Sequence, residues 1–228
     1  MAFGGFRPEL LEFLREVRGN NSREWFTAHR GEYETLLLQP AREFVVAMAD
    51  WLPKLGSDIH AEPKVHGSIL AINRDTRFSA DKTPYKTHLD LWFWQGSGPG
   101  LNRERPGYFF RLTPESLILG AGMHALSESA LERYRRAVLD DERGIALENI
   151  SRKIGESSFG GRTYKRVPSG LPADHPRADW LRHSGLFAER EIAPPPEQLF
   201  SEQLPGWCFE QLLGVAPLQQ WLVEVLAT

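Results

Sequence analysis

Near residue 60 the spacing of apolar residues changes from three-and-four to two, which restricts the chain to folds in which a helical block precedes a sheet. Before the change, Leu10, Leu11, Phe13, Leu14 and Val17 form a helical stripe that ends at Gly19-Asn20. Asn21 and Glu24 have the spacing of a capping box, so a second helix is expected with Trp25, His29, Tyr33, Leu36 and Leu37 on one side. Pro40 suits the first turn of a third, which carries Phe44, Val45, Met48, Leu52 and Leu55 and stops at Gly56. After the change, strands are expected at 68–72, 88–94, 108–112 and 117–123, the last two joined as an antiparallel hairpin about Pro114-Glu115. Gly96-Ser97-Gly98-Pro99-Gly100 reads as a loop.

The helical period returns after residue 126. Ser129 and Glu132 again have capping-box spacing, opening a helix with Leu131, Tyr134 and Val138, and another follows through Leu147, Ile150 and Ile154. The pattern loosens over 157–173. Residues 174–185 are read as a short helix, 186–192 as a strand, and Pro194-Pro195-Pro196 as a stiff link. A last helix begins at Pro217 and buries Leu218, Trp221, Leu222, Val225 and Leu226. The expected architecture is a single α+β domain: a helical block at 1–56, a sheet core at 64–125 and a mainly helical remainder at 127–228. The sheet should be mainly antiparallel, with about four to six strands.

Composition removes several classes of function. The 228 residues carry 27 Lys plus Arg against 30 Asp plus Glu, a net charge of −3, so a nucleic-acid partner is not expected. Cys208, the single cysteine, cannot form an internal disulfide, which fits a reducing compartment such as the cytoplasm. There is no leader-like N-terminus, and no apolar run approaches the roughly 18 residues of a membrane span. No glycine-rich phosphate loop and no Gly-x-Ser-x-Gly elbow occurs, and Cys208, between Trp207 and Phe209, reads as a small buried hydrophobe. No cofactor is expected.

The densest polar stretch, Asn73 to Lys86, places four cations and two carboxylates between two expected strands. Arg74 and Arg77 offer planar forks for carboxylate or phosphate, Lys82 and Lys86 add point charges, and Tyr85 adds a hydroxyl. Together these groups suit a clamp for a small anionic ligand. In the competing reading, Asp75 and Asp81 neutralise the arginines, and the stretch is an internal ion-pair latch in a non-catalytic structural or protein-interaction module.

The run Arg74-Asp75-Thr76-Arg77-Phe78, followed by Asp81-Lys82-Thr83-Pro84-Tyr85-Lys86, resembles the signature of a conserved hypothetical bacterial family, domain of unknown function 2461. Asn20-Asn21-Ser22-Arg23-Glu24-Trp25-Phe26, Gly107-Tyr108-Phe109-Phe110-Arg111-Leu112, Gly120-Ala121-Gly122, Lys165-Arg166-Val167-Pro168-Ser169-Gly170 and His175-Pro176 resemble that pattern in the same order. The likeness covers nearly the whole chain, but the family carries no established activity to inherit. One departure stands out: where the family pattern has an arginine three residues before Arg74, this chain has Ala71. If that arginine completes a clamp, the version here is weaker or differently tuned.

Alternation supplies a second expectation. Leu89, Leu91 and Phe93 share one strand face, leaving His88, Asp90, Trp92 and Trp94 on the other, with Phe109 and Arg111, then Gly120, Gly122 and His124, on the following strands. The glycines mark either a shallow pocket beneath the 74–86 stretch or the packing surface of a crossing helix. Arg111 joins the ligand-binding candidates, and His88 or His124 is the expected general acid or base if chemistry occurs. His88, Asp90 and His124 could form a facial metal set, but without a tight ligand motif no metal is expected.

Overall fold

The structure is a computed structural model that describes residues 2–77, 79–96 and 105–227. The glycine-rich stretch expected as a loop lies, beyond Gly96, outside the described residues. Helix α1 (Glu9–Gly19) buries Leu10, Phe13, Leu14 and Val17, the stripe that its spacing predicts. Helix α2 (Arg23–Ala28) begins one residue later than expected: Ser22 is its N-cap, with Oγ accepting the Trp25 N–H at 3.2 Å. Asn21 is engaged elsewhere. Its amide donates to the carbonyl of Tyr85 at 2.9 Å and accepts the N–H of Tyr85 at 3.0 Å, fastening the far end of the polar stretch to the helical block. Asn21→Ala removes both bonds and is expected to lower the unfolding free energy by about 1–3 kcal/mol in a urea titration.

The chain continues through α3 (Arg30–Glu32), a π-helical turn (Tyr33–Leu38) and α4 (Gln39–Met48). The wide turn shifts the buried stripe by one position. Tyr33, Leu37 and Leu38 are buried, while Leu36 is only partly so, because i→i+5 pairing rotates successive side chains less far around the axis than the α period assumes. Pro40, which has no N–H to contribute, follows where that turn ends.

Five strands form one antiparallel sheet in the order β1-β2-β3-β5-β4. They are β1 (Leu89–Trp94), β2 (Gly107–Leu112), β3 (Leu117–Met123), β4 (Phe159–Arg162) and β5 (His183–Ile192). The predicted hairpin is β2–β3, with Leu112 opposite Leu117. The strand expected at 68–72 does not form. That segment divides its backbone bonds among β1, through Leu70 and Ser68, Lys86, through Ile72, and the preceding turn at Glu62, Lys64 and His66, so it protects the edge of β1 without building a ladder of its own. The short helix expected at 174–185 reduces to a 3₁₀ turn (Trp180–Arg182), after which β5 starts earlier than read.

Helices α5 (Glu128–Leu139) and α6 (Asp141–Ile154) are capped by Ser127 and Asp140; Ser129 is not the cap. The last two helices are α7 (Leu204–Leu213) and α8 (Ala216–Ala227). Among the described residues, no helix is long and apolar enough to cross a membrane.

One face of the sheet carries Leu89, Leu91, Phe93, Tyr108, Phe110, Leu119 and Ala121 into the main core. Phe44 and Phe6 pack against Phe110, with ring centroids 5.1 and 6.2 Å away, so the N-terminal block covers the β2 region. Helices α7 and α8 cover β3. The N-terminal block, α7 and α8 pack on that core side, and among the described residues the apolar cluster of the other sheet face contains no helical residue; the chain forms one α+β domain.

Candidate functional site

Strand register fixes what the second face presents. One row across the sheet reads Asp90, Arg111, Ile118; the next reads Trp92, Phe109, Gly120, Glu189; a further one reads Trp94, Gly107, Gly122, Phe187. The glycines are covered by neither a helix nor open space. A Cβ on Gly120 would strike the Phe109 ring and the Ala188 carbonyl oxygen, and one on Gly107 would lie 2.8 Å from the Trp92 ring. Rings on adjacent strands therefore lean onto the glycines, and Trp92, Trp94 and Phe109 form a second apolar cluster with Leu70, Ile118 and Phe187.

Above this cluster lies a cavity of about 560 Å³, and none of the residues lining it belongs to a helix. Its sheet side includes Asp90, Trp92, Phe109 and Arg111, while Arg74, Asp75 and Lys86 reach it from the polar stretch. His88, His124 and Glu189 complete its polar lining.

Asp90 is the hub. Its side chain is 9% exposed and accepts Arg111 Nε at 2.7 Å on one oxygen, and Lys86 Nζ and His88 Nε2, each at 3.2 Å, on the other. Arg111 stands directly opposite on β2, and Lys86 precedes Asp90 by four residues. Burial alone would raise the Asp90 carboxyl, but the hydrogen bonds from His88 and Arg111 and the charge of Lys86 outweigh it and hold the group well below the usual carboxylate range. Lys86 and Arg111 against Asp90 leave an excess of positive charge. Arg111 uses only Nε, and its terminal amino groups have no hydrogen-bond partner among the described residues.

His124 and Glu189 differ from this hub because no protein hydrogen bond reaches either side chain among the described residues. The His124 ring lies 4.3 Å from Phe187 and 5.3 Å from Phe109 between centroids. Burial against these rings, with the Arg111 charge, lowers its pKa, so the imidazole is neutral at neutral pH. Glu189 is half-buried, and that burial raises its carboxyl, opposed by Arg111 and reinforced by Glu191.

The remaining sequence candidates are bonded within the polar stretch or buried. Arg74 donates to Asp81 and Thr83, and Arg77 forms a fork on Asp75 with bonds of 3.0 and 2.7 Å. Lys82 donates to the Thr76 carbonyl at 2.8 Å. Tyr85 is buried with its ring stacked on Phe26 at 4.0 Å. Arg74, Asp75, Lys86, His88, Arg111 and His124 thus meet at the cavity, whereas Arg77, Asp81, Lys82 and Tyr85 do not line it. Glu189 was not visible to alternation, because its place depends on β5 pairing with β3 across more than sixty residues of chain. Among the described residues, no group of three or more His, Cys, Asp or Glu is placed to hold a metal ion.

A larger cavity, of about 660 Å³, lies beside β4 and α6, with Arg152, Arg162 and Arg177 as its cations, each bonded to protein groups. Arg177 donates to the carbonyls of Val138 and Asp140 at the end of α5, Arg162 pairs with Asp179, and Arg152 donates to Asn149 Oδ1 at 2.7 Å. The smaller cavity therefore has the better claim to an outside ligand.

Comparison with curated proteins and with solved structures finds no match. The family model described as a conserved hypothetical protein (DUF2461) matches residues 9–221, so the chain belongs to that family.

Proposed function

We propose that the cavity on the outer sheet face binds a small ligand bearing a carboxylate or phosphate, with Arg111 as its main donor, Lys86 beside it and Arg74 above. The observation that supports this reading most is the division of labour within Arg111. Nε is tied to a buried carboxylate, which orients the guanidinium plane, and the terminal amino groups have no hydrogen-bond partner among the described residues. A fork oriented before the ligand arrives loses little freedom on binding, and its geometry matches a two-oxygen anion. If the cavity is also catalytic, neutral His124 is the group suited to accept a proton from the bound ligand, while His88, engaged with Asp90, serves to orient the donors. Cys208, buried and without a disulfide, supports a cytoplasmic setting.

The Arg77–Asp75 and Arg74–Asp81 pairs favour a second reading, in which the polar stretch is an internal latch and the cavity takes no ligand. Thermal melting separates the two. With phosphate or a simple carboxylate at about 100 times its Kd, the first reading expects a rise of roughly 5–10 °C in the wild type and none in Arg111→Met. The second expects no anion to move either protein.

A further inference from the structure

We propose that the ligand of this cavity is bipolar: its anionic group meets Arg111 and Lys86, and an ammonium group at its other end meets Glu189, with His124 alongside. This inference rests on the anion-binding reading and assigns the opposite pole. Three carboxylates line the cavity. Asp75 is bonded by Arg77, and Asp90 by Arg111, Lys86 and His88. Glu189 alone has no donor among the described residues, although it is half-buried. A carboxylate partly withdrawn from water and left unpaired is a destabilising arrangement that a cationic or donor-bearing guest would relieve. Arg111 acts on Glu189 through space but forms no hydrogen bond with it, so the two unsatisfied groups line the same cavity with opposite charge.

The register sets the spacing and the character of the space between them. Arg111 on β2 and Glu189 on β5 are separated by β3 alone, which places their strands about 10 Å apart. Gly120, directly opposite Glu189, has the edge of the Phe109 ring over it, so the floor between the two poles is an aromatic surface. The adjoining wall is apolar, formed by Phe109, Trp92 and Ile118, and aromatic faces also tolerate a nearby cation. A short aliphatic or flat body with a negative group at one end and a positive group at the other matches this sequence of surfaces. A simple dianion would leave Glu189 facing like charge.

The test is calorimetric titration of the full chain with matched probes: propanoate, butanoate and pentanoate, each against its ω-amino counterpart. For at least one pair, the amino member is expected to bind the wild type about tenfold more tightly than its parent acid. Glu189→Gln should bring the two members of that pair within about twofold of each other without weakening the parent acid. It should also melt close to the wild type, since no protein bond is lost. Parent acids that bind while the amine adds nothing, or a gain that survives Glu189→Gln, would overturn the bipolar ligand and leave anion binding standing. If neither series binds the wild type, or if Arg111→Met leaves the parent acid's affinity unchanged, the anion-binding reading falls and the bipolar ligand falls with it.

Discussion

Replacing Asp90 with asparagine is expected to lower the melting temperature by roughly 6–20 °C, the equivalent of about 3–5 kcal/mol. The side chain is almost sealed from water and is the common partner of Arg111, Lys86 and His88. Neutralising it leaves Arg111 and Lys86 facing one another without the carboxylate that both bond. Asp75→Asn serves as the contrast: that carboxylate is exposed and paired with an exposed arginine, so the change should cost less than about 1 kcal/mol. The pH dependence has a defined sign. Because the folded state holds the Asp90 carboxyl below its ordinary value of 3.8, the associated stability is fully present above that value and is lost as pH falls through the folded-state pKa. The acid limb of the wild-type stability curve, below about pH 4, should therefore be steeper than that of Asp90→Asn. Equal limbs would mean that the hub contributes nothing to folding.

Gly120→Ala is the other change with a large expected effect, about 3 kcal/mol or more, measured by urea denaturation. A methyl group there meets the Phe109 ring and the Ala188 carbonyl oxygen at once. The ring could rotate away only by giving up its place in the apolar cluster, and the carbonyl belongs to the β3–β5 pairing. Over-packing of this kind in a central strand has no inexpensive relaxation. Gly19→Ala is the matching control, since a Cβ at Gly19 meets nothing within 4 Å, and it should change stability by less than about 1 kcal/mol.

Local periodicity carried much of the fold. The α1 stripe, the β2–β3 hairpin and the inward set Leu89, Leu91 and Phe93 follow from repeats of 3.6 and 2.0 that burial on one face imposes. Elements whose existence depends on a distant partner were less legible. Strand β4 contains Gly160 and Gly161, which carry no strand preference, and it forms because β5 offers an edge. The segment at 68–72 has strand-like residues but divides its backbone bonds among β1, Lys86 and the turn before it.

The site divides in the same way. Asp90 and Arg111 were placed on one face by parity alone, and Lys86 came from the polar stretch as expected. Glu189 had no local signal. Asn21 could not be distinguished from a helix cap, because the same short amide that caps a helix can also hold two backbone groups of a remote loop. Glycines 120 and 122 correctly marked a place of close approach, but what approaches at Gly120 is a ring from the next strand.

In the ligand-binding reading, the terminal amino groups of Arg111 receive an anion from outside the protein. An experimental structure determined with phosphate or a short carboxylate tests it most directly. The anion is expected within about 3 Å of those amino groups, with Lys86 close by and the Asp90–Arg111 bond intact. A guanidinium closed onto Glu189 or another protein carboxylate, with the cavity empty of the anion, would contradict it.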